Sequence, residues 1–132
     1  MTAPTFYPTF RCRDAAAMID WLERAFGFST KARYADDSGV VQHAELAFGN
    51  SILMLGSDRD DAFAAIVGHA GAPGGKSVYV AVDDPDALFN RAKAAGATIK
   101  QGLTDRDYGS REFICTDPEG NIWCFGTYRP AP

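Results

Sequence analysis

The chain has 132 residues, a formal net charge of −4, and 46% hydrophobic against 23% charged residues. That length suits one domain with a real core, able to bury about two-thirds of the surface its unfolded chain would expose. The acidic balance and scattered basic residues argue against nucleic acid and anionic membrane as partners, and no apolar run nears the roughly 20 residues of a membrane span.

Taken in chain order, Thr5–Cys12 is the first expected strand, made irregular by Pro8. Asp14 then caps an amphipathic helix with apolar residues at Ala15, Met18, Ile19, Leu22, Ala25 and Phe26, closed by Gly27. Trp21 sits partly off that stripe, as an anchor between protomers or as a half-buried core residue. Strands follow at Phe28–Ala35, Val40–Phe48 and Ser51–Leu55, the last two joined at Gly49-Asn50, a pair suited to a tight hairpin. The Asp- and Gly-rich stretch 56–76 reads as a connector with one helical turn at most, a plain tether or a lid, and leaves His69 exposed.

The second half repeats the first. Ser77–Val82 is a strand, Asp84 and Pro85 open a helix closed at Gly96, and strands follow at Ala97–Leu103, Gly109–Thr116 and Ile122–Tyr128, with a turn at 117–121. A repeat of about 70 residues makes each half one βαβββ unit. The expected fold is α+β: modules 5–57 and 76–128, a linker at 58–75, and one domain over 1–132. Neither half can bury both sheet faces alone, so mixed sheets curved around a cleft are expected.

Strand alternation sorts the side chains. Ala44, Leu46 and Phe48 should pack under a helix, leaving His43 and Glu45 on the other face. Phe113, Cys115, Trp123 and Phe125 take the helix side, leaving Glu112 and Cys124 opposite. Tyr7 and Arg11 from the first strand and Tyr79 and Ser77 from the fifth should join them, with Tyr108 and Arg111 at the mouth. Arg111 could equally pair with a carboxylate on the next strand. His43 and Glu45, at i and i+2, could form an acid/base dyad, supply two metal ligands, or be a hydrogen-bonded pair with no chemistry. Cys12, Cys115 and Cys124 form no CxxC pair and read as free thiols. The segment MTAPTFYPTF has no secretion-signal pattern, so a cytoplasmic location is expected.

Three segments carry a resemblance: Tyr79-Val80-Ala81-Val82-Asp83-Asp84 running into the helix that ends Ala94-Ala95-Gly96-Ala97, then Tyr108-Gly109-Ser110-Arg111-Glu112-Phe113, then Asp117-Pro118-Glu119-Gly120-Asn121. Over about residues 5–128 the chain resembles the vicinal oxygen chelate superfamily of glyoxalases, extradiol dioxygenases and bleomycin-resistance proteins. The resemblance implies four strand positions where catalytic members hold a divalent metal with His or Glu. Counting along the strands puts Tyr7, Leu53, Ser77 and Cys124 there, which cannot supply that donor set. The chain is therefore similar to the bleomycin-resistance branch. The expectation is no metal, no cofactor, a homodimer, and a small-molecule ligand such as an antibiotic or another cationic or aromatic compound. The alternative is a lyase, isomerase or dioxygenase with a displaced metal or His43/Glu45 acid/base chemistry.

Overall fold

The computed structural model describes residues 2–132, which form two compact units, one of residues up to 23 with 27–70 and one of residues 24–26 with 71–132. Elements run β1 (Thr9–Cys12), α1 (Ala15–Phe26), β2 (Ser29–Ala35), β3 (Val41–Phe48), β4 (Ser51–Ser57), α2 (Ala62–Val67), β5 (Val78–Ala81), α3 (Pro85–Ala94), β6 (Thr98–Asp105), β7 (Arg111–Thr116) and β8 (Ile122–Gly126). The first sheet has the order β1-β4-β3-β2 and the second β5-β8-β7-β6. In each, the first strand runs parallel to the last and the other pairs are antiparallel. The fold is α+β, two tandem βαβββ modules with mixed sheets.

The helices begin where their caps dictate. Asp14, Asp61 and Asp84 each accept a hydrogen bond from the backbone N–H three residues on, at 3.0, 2.9 and 3.1 Å. Gly27 ends α1 with φ 85°, a conformation that a side chain would strain. Pro85 opens α3, where its missing N–H has no partner to lose.

Core faces follow the expected alternation. Ala44 and Leu46 are fully buried in the first unit. In the second, Phe113 stacks on Phe125 at 5.2 Å, Phe125 on Trp123 at 6.1 Å, and Phe89 of α3 meets Phe113 edge-on at 5.3 Å. Phe26, which clusters with this unit, lies 4.7 Å from Phe125. Burying side chains of this size stabilises by roughly 1.5–3 kcal/mol each. The loop 117–121 is built around buried Asp117, whose carboxylate accepts from the backbone N–H groups of Glu119 and Asn121, the Asn121 amide and the Trp123 indole N–H.

Several expectations change. β1 starts only at Thr9, because Pro8 has no N–H to give the ladder; its carbonyl still accepts from Met54 N at 3.0 Å. Trp21 is a buried core residue, not half-buried and not open to a partner. The connector is not a loose tether: residues 58–70 belong to the first unit, Asp58 N donates to Cys12 O at 2.8 Å, and Ala64 of α2 is buried. His69 is solvent-facing but engaged, its Nδ1 2.7 Å from Asp58 and its Nε2 3.3 Å from Asp60. No helix among the described residues is long and apolar enough to cross a membrane.

Candidate functional site

On the second sheet, the face away from Phe113 and Phe125 carries a polar group organised by strand register. Tyr79 pairs with Cys124, Cys124 with Ile114, and Glu112 with Gly126. Glu112 is only 5% exposed, yet it is charged and fully engaged. One carboxylate oxygen accepts from Arg106 Nε at 3.1 Å; the other accepts from the Tyr108 hydroxyl at 3.0 Å and Ser110 Oγ at 2.9 Å. Burial pushes the Glu112 pKa up, and these three donors with the Arg106 charge pull it down further, so the net shift is downward and the group is ionised at neutral pH.

Around this anchor stand three tyrosines. Tyr79 donates to the Tyr128 carbonyl at 2.6 Å, and Tyr128 N donates to Ser110 Oγ at 3.1 Å. Tyr108 meets Tyr128 edge-on at 5.9 Å. These residues remain 36% (Tyr79), 60% (Tyr108) and 49% (Tyr128) exposed. Arg106 is held in turn by Gln101 Oε1 at 2.6 Å. Burial raises the Tyr79 pKa, and the hydrogen bond to Glu112 raises that of Tyr108, so both phenols stay protonated. Burial, then the Glu112 charge, raises the Cys124 thiol, and burial pushes Cys115 up to about 12, which removes both as nucleophiles at neutral pH. Gly126 makes the close approach possible: a Cβ there would lie 2.6 Å from Glu112 Cγ and 2.8 Å from the Tyr79 hydroxyl.

In the first unit, register places Thr9 beside Met54, Met54 beside Glu45, and His43 beside Tyr34. His43 Nε2 lies 2.8 Å from Glu45 Oε2, both side chains are about two-fifths exposed, and Tyr34 stacks on the imidazole at 6.2 Å. Arg11 is bound bidentately by Asp61 at 2.9 and 3.3 Å and sits 5.0 Å over the Phe63 ring. The hydrogen bond from Arg11, then that from Ala64 N, lowers the Asp61 pKa to about 2.

Among the residues expected at a site, Tyr79, Tyr108, Glu112 and Cys124 share the second sheet's polar face. Arg11, His43 and Glu45 belong to the first unit, with Arg11 already paired. Tyr7 and Ser77 are exposed and precede their strands. One residue is misplaced by the sequence count. Leu53 pairs with Leu46 and is 3% exposed on the buried face; Met54 holds the outward position. The cause is the turn: Gly49-Asn50 joins strands whose last pair, Phe48 with Ser51, is on the buried side, whereas the five-residue loop 117–121 begins β8 with Ile122 on the other face. Arg111 alternates with Glu112 and lies on the helix side, bound by Asp86 of α3 at 2.7 Å and Asp105 of β6 at 3.0 Å. Sequence reasoning missed Ser110, Arg106, Gln101 and Tyr128. Only Ser110 carried a signal, two residues before Glu112 and so on its face.

The sequence profile of the Glyoxalase/Bleomycin resistance protein/Dioxygenase superfamily matches residues 6–125. The chain belongs to this superfamily. It is 33% identical over 128 residues to an uncharacterized protein of Mycobacterium bovis, covering 93% of this chain and 82% of that one. The crystal structure of TioX from Micromonospora sp. ML1 is 33% identical and aligns with a TM-score of 0.79 over 96% of this chain and 100% of that one. A glyoxalase/bleomycin resistance protein/dioxygenase family enzyme from Burkholderia phytofirmans aligns with a TM-score of 0.71 at 23% identity, over 91% and 94% of the two chains, which speaks to the fold.

Membership raises the question of the superfamily metal. The positions that the resemblance points to hold Tyr7, Ser77, Cys124 and, by register, Met54 in place of Leu53. A phenol, a hydroxyl, a thiol kept protonated and a thioether are a poor set for a divalent ion. Among the described residues no three His, Cys, Asp or Glu side chains gather as a metal site. The residues present do not fit the group.

Proposed function

We propose that this member of the superfamily is a metal-independent binding protein for a planar small molecule, received on the polar face of the second sheet. The observation that carries this reading is the tyrosine frame: Tyr108 donates to the buried, ionised Glu112, Tyr79 to the Tyr128 carbonyl, and the Tyr128 N–H to Ser110, which itself donates to Glu112. Rings fixed before a ligand arrives lose little freedom on binding, and they supply flat apolar area. The expected preference for a cation weakens at this face, because Arg106 already answers the Glu112 charge. Planarity, rather than charge, is the selecting property.

The test is a titration of metal-stripped protein with a panel of planar compounds, followed by thermal shift. A compound at about 100 times its dissociation constant should stabilise the fold by about 2.7 kcal/mol. Tyr79→Ala and Tyr108→Ala should each weaken a hit, and addition of divalent metal should leave it unchanged. Absence of any hit, or binding that depends on metal, would defeat the reading.

A second, enzymatic reading rests on His43 and Glu45, whose 2.8 Å contact and partial exposure meet the geometry of an acid/base pair. Turnover lost in His43→Ala with binding retained would favour it. A homodimer belongs to the leading reading, since βαβββ modules pair in the superfamily the sequence resembles. Sedimentation should show a dimer, with an interface above about 1,000 Å².

A further inference from the structure

Around Glu112, the hydroxyls of Tyr79, Tyr108 and Ser110 have their protons committed. Tyr108 faces a carboxylate oxygen of Glu112 at 3.0 Å and Ser110 Oγ faces the same oxygen at 2.9 Å. An ionised carboxylate only accepts, so both hydroxyls must donate. Tyr79 faces the main-chain carbonyl of Tyr128 at 2.6 Å, which also only accepts. These directions follow from the partners and need no choice of hydrogen position. Ser110 uses its oxygen as well, taking the Tyr128 N–H at 3.1 Å. Tyr79 and Tyr108 remain as fixed, part-exposed phenols that offer lone pairs and hold no proton for a ligand.

We infer that the Tyr79–Tyr108 part of the face selects planar ligands carrying a hydrogen-bond donor, an N–H or O–H at the ring edge, over planar ligands of the same shape that carry only acceptors. The inference rests on the binding reading above and adds the polarity of the ligand. Glu112 is the positioning residue: it touches no ligand and sets the direction in which the Tyr108 proton points. Placed against Tyr79 and Tyr108, an acceptor-only ligand would bring its lone pairs against the phenol lone pairs and lose its water there without replacement. A donor-bearing ligand would find one or two acceptors already oriented.

The experiment compares indole with benzofuran and 1-methylindole, planar bicycles that differ in the ring-edge donor, by nuclear magnetic resonance titration of the whole chain. Indole should bind about threefold to tenfold more tightly than either, the size of one net hydrogen bond. In the Tyr79→Phe/Tyr108→Phe double variant, which keeps the rings, that ratio should collapse toward one. Glu112→Gln offers an amide N–H to Tyr108, lets its proton turn outward, and should move the ratio toward benzofuran. Binding of all three probes with equal affinity in the unaltered protein would overturn the inference and leave the binding reading standing. A ratio that survives in the double variant would overturn the assignment to these phenols. Failure of all three to bind would overturn both.

Discussion

Gly126→Ala tests whether the packing around Glu112 is as tight as the geometry says. The added Cβ would stand 2.6 Å from Glu112 Cγ, 2.8 Å from the Tyr79 hydroxyl and 3.2 Å from Glu112 Oε2. None of these is the free end of a flexible chain, since Glu112 is held by three donors and Tyr79 by the Tyr128 carbonyl. The backbone at Gly126 does not need a left-handed φ, so any cost is steric. Overpacking costs about 1–3 kcal/mol, and displacement of one hydrogen bond adds about 1 kcal/mol, so a loss of about 2–4 kcal/mol is expected in urea unfolding. Affinity for any planar hit should fall with it. Gly102→Ala in β6 is the control: its Cβ meets nothing within 4 Å, and it should be neutral or slightly stabilising. Gly126→Ala within about 0.5 kcal/mol of the unaltered protein, the ordinary scatter of surface changes, would refute the packing argument.

Asp117→Ala strips partners from the buried Trp123 indole N–H and the Asn121 amide, and should cost about 2–4 kcal/mol in the same assay. Arg111→Ala breaks exposed ion pairs with Asp86 and Asp105, so it should cost about 1 kcal/mol or less and leave planar-ligand affinity unchanged. The depressed Asp61 carboxyl contributes stability that is complete above the unfolded carboxyl range near about 4 and is lost as pH falls toward about 2. Asp61→Asn should therefore flatten the acid limb of the stability–pH curve. Hydrogen bonding to Asp58 raises the His69 pKa, so its contribution is complete below about 6.5 and fades as pH rises through the higher folded value. His69→Gln should remove that fade, and a curve unchanged by the substitution would contradict the pairing.

The repeat was readable because each half spells its own start and stop: Asp14 and Asp84 at the caps, Gly27 and Gly96 at the ends. The core faces of β3, β7 and β8 followed from alternation alone. What linear spacing lacks is the register between strands. Leu53 and Cys124 sit four residues after their turn glycines, yet they face opposite sides, because the two turns close on pairs of opposite orientation. For Arg111 the sequence left open a ligand or a carboxylate on the next strand; it pairs with Asp105 of that strand and also with Asp86 of α3, which linear spacing did not indicate. Arg106 and Tyr128 gave no local signal, since their meeting with the Glu112 cluster depends on how β6, β7, β8 and the chain after them come together.

The central claim is that a planar small molecule binds the tyrosine-framed face of the second sheet without a metal. Titration of isotopically labelled, metal-stripped protein with a planar hit reads this residue by residue. The account predicts saturable shifts at Tyr79, Tyr108, Glu112, Gly126 and Tyr128, unchanged when divalent metal is added. Shifts confined to His43, Glu45 and Tyr34, or shifts that appear only with metal present, would contradict it.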